Sequence, residues 1–378
     1  MGRYRFPHNQ RLAHCAYPTG ADHRDVLGAF AAFQSEIVTA DGARGFLRTQ
    51  RPDTPDGVPN STVSEGIAYG MLIAVMLDEQ ALFDAFYGYS LAFANERGLM
   101  CWYVAPDGEK ALGTGAASDA DEDIAWALVM AHRQWGGRGA LSESYLDHAK
   151  RQIDRIWQFQ VDHDAVPFLF KPGDEWRADV FNPSYFAPNQ YRLFGEVSGN
   201  RDGFQHVVDR GYEVVAASLN ERNGNRENGL VPAWCDSRGT PVEAFPGAEQ
   251  NYQTDSARLP FRIAQDFAYY REPRARAYLA KTSAFFAGLG ADGIGDGYHL
   301  DGRPSPDRRT AQPNPGSAVF VGCAAAGAMH DAAYQPFLDA AYARLRTGKL
   351  LARSRYYNHC WTVLSLLMLT GNFVELGE

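Results

Sequence analysis

Long apolar runs are missing from this chain, as are clustered cysteines and any surplus of positive charge. Its apolar stretches are broken by polar residues well short of the roughly 20 needed to cross a bilayer, so no membrane partner is expected. The five cysteines (Cys15, Cys101, Cys235, Cys323, Cys360) are scattered, odd in number and without a C-x-x-C pair. That argues against a complete disulfide framework and against a thiolate zinc site, and buried free thiols are expected. Lysine and arginine total 36 against 45 acidic residues, a net charge of -9. A nucleic-acid backbone needs a basic surface, which excludes that partner. No P-loop or dinucleotide fingerprint occurs. Residues 1–16 lack the apolar centre of a signal peptide, which leaves a cytoplasmic protein or one whose leader has been removed.

What is present is an ordinary globular composition, 45% hydrophobic and 21% charged, with aromatics raised to 13%. At 378 residues one large core suffices, and no linker or charge block divides the chain, so residues 1–378 are read as a single domain. Gly/Pro/Asn-rich stretches at 51–60 and 301–315 predict surface loops. Val26, Phe30, Phe33 and Ile37 share one helix face, as do Leu146, Ala149, Ile153 and Ile156, and Phe204, Val208, Val215 and Leu219. Residues 66–77, 124–130, 317–329 and 362–369 are apolar nearly all round, which predicts helices buried on every side. The two types tend to alternate. An inner ring of helices wrapped by an outer one, an α/α barrel, fits that pattern, and so does an irregular helical array. Strand alternation is confined to short pieces near Met100 to Val104.

Three acidic segments carry the chemistry. In 61–70 (STVSEGIAYG), Glu65 heads a helix that has no polar face. A helix dipole favours a carboxylate there, but apolar surroundings would also raise its pKa, as a general acid requires. In 117–125 (ASDADEDIA), Asp119, Asp121, Glu122 and Asp123 crowd a helix start that Ser118 is expected to cap. A calcium loop is discounted, because Ile124 and Met130 replace the required glycine and glutamate. Asp121 to Asp123 are expected to form a solvated first turn, with Asp119 the better functional candidate. In 251–262 (NYQTDSARLPFR), Asp255 and Arg258 are spaced for an ion pair. Two carboxylates for acid/base work and a third for binding form the set that glycosidic bond cleavage needs.

These segments resemble glycoside hydrolase family 8, nearest its bacterial endoglucanases. The stretch 117–135 (ASDADEDIAWALVMAHRQW) fits the family signature, and 64–71 (SEGIAYGM) is similar to its general-acid motif. Further similar blocks are 171–176 (KPGDEW), 182–188 (NPSYFAP), 229–235 (GLVPAWC) and 369–373 (LTGNF), so that the resemblance spans about 42–373. It implies an all-α (α/α)6 barrel with the cleft at one end of the inner ring. It implies an inverting endo-β-1,4-glucanase of the cellulase class, acting on cellulose-type and mixed-linkage β-glucans without metal or organic cofactor. Glu65 would be the general acid, Asp255 the general base and Asp119 the residue that binds and distorts the sugar. Trp102 and Trp176 would stack on sugar rings, Arg258 would orient the substrate or the base, and Tyr357, with Tyr356 beside it, would lie near the cleft. Trp135, Trp157, Trp234 and Trp361 are read as core. The family's cellulases carry tyrosine before the base where this chain has Thr254, which opens chitosan and xylan as alternative substrates. A non-catalytic carbohydrate-binding or scaffold protein is disfavoured by the three retained carboxylates. Polymer degradation implies a secreted or periplasmic location, and a monomer is the default.

Overall fold

The structure, a computed structural model, describes residues 2–54, 57–305, 315–352 and 354–377. The expected loop at 301–315 therefore falls largely outside the described residues, as do two positions of the loop at 51–60.

In chain order the helices are α1 (His23–Ile37), α2 (Ser64–Met76), α3 (Gln80–Ala92), α4 (Ser118–Trp135), α5 (Tyr145–Phe159), α6 (Pro188–Ser198) and α7 (Arg201–Ser218). There follow the short α8 (Thr254–Ala257), then α9 (Leu259–Tyr270), α10 (Pro273–Leu289), α11 (Ala318–Ala328), α12 (Gln335–Leu345) and α13 (Arg355–Leu369). Helix α2 packs on α4, α4 on α6, α6 on α9, α9 on α11, α11 on α13, and α13 returns to α2. That closure makes an inner ring of six. Helices α3, α5 and α7 cover α2, α4 and α6; α10 lies against α9 and α11, α12 against α11, and α1 against α13. The fold is an (α/α)6 barrel, and the irregular array is excluded.

Burial explains the alternation. Every residue of α2 except Glu65 is buried, and so is every residue of α11, because these helices meet protein on all sides. Each buried Leu or Ile there contributes about 1.5–3 kcal/mol relative to exposure. The outer α5 instead buries one stripe, Tyr145, His148, Ala149, Gln152, Ile153 and Ile156, with Leu146 half-buried at its margin. Helix α1 buries the predicted Val26, Phe30, Phe33 and Ile37.

Strand is scarce. β1 (Val38–Thr39) pairs antiparallel with β2 (Arg48–Thr49), and β3 (Thr62–Val63), β4 (Tyr103–Val104) and β5 (Ala111–Gly113) form a second antiparallel sheet. Because β3 runs straight into α2, this sheet sits at the ring's mouth. All five thiols are free; four are buried and Cys15 is half-buried.

Two expectations about 117–125 fail. Asp121, Glu122 and Asp123 are not a solvated turn: all three are at most 1% exposed. Their helix start faces other inner helices rather than water. Each carboxylate is therefore matched by donors from elsewhere in the chain. Asp121 accepts from the side-chain amides of Gln152 (3.0 Å) and Gln160 (2.6 Å), and Glu122 from the Tyr191 hydroxyl (2.9 Å). Asp123 meets both guanidinium nitrogens of Arg262 on α9, one at 2.8 Å, and the Gln190 amide at 2.7 Å. Nor is Ser118 the cap. Ala117 occupies that position without a side-chain bond, and the Ser118 hydroxyl donates to the Lys171 carbonyl at 2.7 Å.

Removing one member of a buried ion pair strands the other, at a cost of about 3–5 kcal/mol. Arg262→Met should lose stability on that scale in urea unfolding at neutral pH. The double variant Arg262→Met/Asp123→Leu should lose less than the single one.

Candidate active site

The first turns of two inner helices, with the short α8 that leads into a third, carry the three candidate carboxylates. Glu65 lies in the first turn of α2, and Asp119 in that of α4. Asp255 stands on α8, directly before the Arg258 joint that leads into α9. Helix N-termini carry partial positive charge, so the mouth of the ring favours anions.

Arg258 organises the group. It is 2% exposed and reaches four elements at once. Its Nη1 touches the Asp119 carboxylate and donates to the Tyr69 hydroxyl at 2.9 Å. Its Nη2 donates to the Ser184 hydroxyl at 2.8 Å and lies 3.5 Å from Asp255. The expected pair of Asp255 with Arg258 therefore exists, but Asp119 is the closer partner.

Asp255 is the open carboxylate, with its side chain 34% exposed. A capping box fixes its backbone. The Gln253 side-chain oxygen accepts from the Asp255 amide at 3.1 Å, and its Nε2 donates to the Asp255 carboxylate at 3.1 Å. Thr254 is exposed beside it.

Among the described residues no cation contacts Glu65. Burial and then the charge of Asp119 push its carboxyl up to about 7, against the weaker pull of its own backbone, Arg258 and Arg51. Gly66 follows it because nothing larger fits. A Cβ there would come within 2.3 Å of the Thr49 hydroxyl and 3.0 Å of the Tyr356 ring. Burial also pushes Asp119 up, opposed by the Arg258 guanidinium. Tyr69 and Tyr185 are raised well above the usual phenol range, chiefly by burial, and so stay neutral donors.

Of the expected aromatics, Trp102 is 43% exposed and stacks on Tyr103 with ring centres 5.0 Å apart. Trp176 is half-buried and lies nearly parallel to Trp234 at 5.2 Å. Trp234, read as core, is buried, but it is the backing of this platform. Trp361 is buried, and Trp135 and Trp157 pack against the main core. Tyr357 stands 6.1 Å from Tyr69, in the first turn of α13, within the field of Arg258, Asp255 and Asp119. Buried Tyr356 is next to it, ring to ring at 5.8 Å, and feels Glu65.

Two residues were given no role from sequence. Tyr185 lies under the Arg258 guanidinium at 5.0 Å and feels all three carboxylates. Tyr69 bonds Arg258 directly. Both sit inside the quoted blocks 182–188 and 64–71, so the blocks were the available signal.

The sequence profile of "Glycosyl hydrolases family 8" matches residues 6–371. The chain belongs to this family. Family membership makes it a glycoside hydrolase, and the match begins well before the 42–373 span of the quoted motifs. Among curated proteins it is 37% identical over 384 aligned positions to "Endoglucanase 2" of Ruminiclostridium josui, covering 98% of this chain and 77% of that one. It is 36% identical to "Endoglucanase A" of Acetivibrio thermocellus, covering 90% and 68%. Among solved structures, the β-1,3-1,4-glucanase of Paenibacillus sp. X4 superposes with a TM-score of 0.85 at 23% identity over 98% of both chains. A reducing-end-xylose releasing exo-oligoxylanase superposes at 0.78 with 21% identity over 94% of both. At such identities the likeness concerns the fold alone.

The raised Glu65 carboxyl has a consequence for stability. A group whose folded pKa lies above its unfolded one stabilises fully below the unfolded value, here 4.5, and loses this as pH rises through about 7. Between pH 5 and 8 the wild type should therefore lose Tm relative to Glu65→Gln. Parallel Tm curves for the two proteins would show that Glu65 does not keep its proton.

Proposed function

We propose that this family 8 hydrolase is an inverting endo-β-1,4-glucanase of the cellulase class, acting on cellulose-type and mixed-linkage β-glucans. The observation that carries this is the division among the carboxyls: Glu65 is raised to about 7 while Asp255 stands open to solvent beside Arg258. The endoglucanase relatives at 37% and 36% identity support the substrate class.

In this mechanism Glu65 donates its proton to the glycosidic oxygen as the bond to the anomeric carbon breaks. Asp255 takes a proton from a water that attacks the same carbon from the opposite face. Inverting enzymes leave roughly 6.5–9.5 Å between the two carboxyls to admit that water. Asp119, fixed by Arg258, accepts hydrogen bonds from the sugar beside the scissile bond, and its charge favours the developing oxocarbenium ion. The neutral phenols of Tyr69 and Tyr185 supply donors around the ring. Trp102 and Trp176 offer flat apolar faces to the axial C–H groups of β-sugars.

Residues 1–378 would act as one catalytic domain and as a monomer. No described helix is long and apolar enough to cross a membrane. A polymeric substrate places the work outside the cytoplasm, in a secreted or periplasmic protein.

The test is reducing-sugar release from carboxymethyl-cellulose, barley β-glucan, chitosan and xylan, with proton NMR of the first products. Glucans should be cut and the new reducing ends should appear as the α-anomer. A β-anomer would overturn the assignment of Asp255, and preference for chitosan or xylan would overturn the substrate. Glu65→Gln should lower kcat by roughly a hundredfold or more, the usual scale for a general acid. Asp255→Asn should be crippled while still binding oligosaccharide, and near wild-type turnover in either folded variant would displace that residue from its role.

A further inference from the structure

One buried carboxylate outside the catalytic group joins the parts of the cleft. Asp174, its side chain 1% exposed, lies two residues before Trp176. Its Oδ1 accepts from the Ala116 amide at 2.8 Å, and its Oδ2 from the Asn95 side chain at 2.9 Å. Arg97 completes the set, 3.2 Å from Oδ2 and donating to the Asp174 carbonyl at 2.6 Å. The surrounding backbone is joined as closely. The Ser118 amide donates to the Pro172 carbonyl at 3.0 Å. At Gly173 a Cβ would fall 2.2 Å from the Ala116 carbonyl and 2.7 Å from the Trp176 ring, so this loop presses directly on the segment before Asp119.

That segment leads on to the other platform. The Trp102 amide donates to the Gly115 carbonyl at 2.8 Å, and the Ser64 amide, next to Glu65, donates to the Trp102 carbonyl at 3.0 Å. Asp174 thus stands where a hydrogen-bonded path from Glu65 through Trp102 meets the loop that carries Trp176.

We propose that Asp174 is a positioning residue that fixes the Trp176 platform relative to Trp102 and the carboxylates, and so sets affinity for glucan chains long enough to reach both. The inference rests on the reading of this site as a β-glucan cleft. A carboxylate accepts hydrogen bonds only, and Asp174 is met by three donors. An asparagine in its place turns an NH2 group towards Asn95 and Arg97 or towards the Ala116 amide. Donor then faces donor, and the loop must shift.

The experiment uses the full chain and cellohexaose. Binding is read by tryptophan fluorescence in a Glu65→Gln background, and kcat and KM in the active enzyme. Asp174→Asn should raise Kd and KM about tenfold, the equivalent of 1.4 kcal/mol, while kcat changes by less than about threefold. Because Asp174 acts through Trp176, the Asp174→Asn/Trp176→Ala double variant should bind better than the product of the single effects predicts. Asn95→Ala, which removes a partly exposed partner, should raise Kd in the same direction by less, and it decides the matter should Asp174→Asn fail to fold. Unchanged Kd in the folded variants, or full additivity with Trp176→Ala, would overturn the inference. If Trp176→Ala weakens binding and Asp174→Asn does not, the inference alone falls. A wild type that neither binds nor cuts cellohexaose removes the glucan reading and this inference with it.

Discussion

Two arginines buried in the barrel impose the constraint on which the site depends. Arg258 and Arg262, one helical turn apart at the start of α9, are each 2% exposed. A guanidinium does not give up its proton in a protein, so each must be matched by an anion and by acceptors for its remaining hydrogens. Asp119 and Asp123, one turn apart on α4, provide the match. Because both pairs have the same spacing, helix against helix has one register that leaves no charge stranded. The Ser184 hydroxyl, in the turn before α6, accepts from Nη2 of Arg258 and brings a third element into that register.

The same pairing divides the carboxylates. Asp119 is committed to a cation, and Asp255 shares that cation from the solvent side. Glu65 shares their field but touches no guanidinium among the described residues. Burial, and then the nearby charge of Asp119, raise its pKa, and the N-terminal dipole of its own helix does not offset them. One buried network thus leaves one acid protonated near neutrality and a different carboxylate open to solvent. Burial first, and then the distance to that one arginine, set the three carboxylates apart.

Much of the fold was legible in the chain. The contrast between α2 or α11, apolar all round, and α1 or α5, apolar on one stripe, records which helices are enclosed and which face water. The burial pattern alone left ring closure open, because it carries no information on which buried helix touches which; the motif resemblance was what implied the barrel. The acidic run after Ser118 misled for a related reason. Four carboxyl-bearing residues in five positions have the composition of a solvated turn. Their partners Gln152, Gln160, Gln190, Tyr191 and Arg262 are distant in sequence and enter from other helices.

The sequence by itself determined the chemical inventory: Glu65, Asp119 and Asp255, Arg258 one turn from the last, and the indoles of Trp102 and Trp176. It determined the helical type of each segment too, since periodicity is a local property. Only the tertiary structure decided what each group touches. It seated Tyr185 and Tyr69 on Arg258, put Trp234 behind Trp176, and joined the Asp174 loop to Asp119. Among the described residues it also left Glu65 without a charged partner. Those outcomes depend on burial and on distances between residues far apart in the chain, and both arise only when the ring closes.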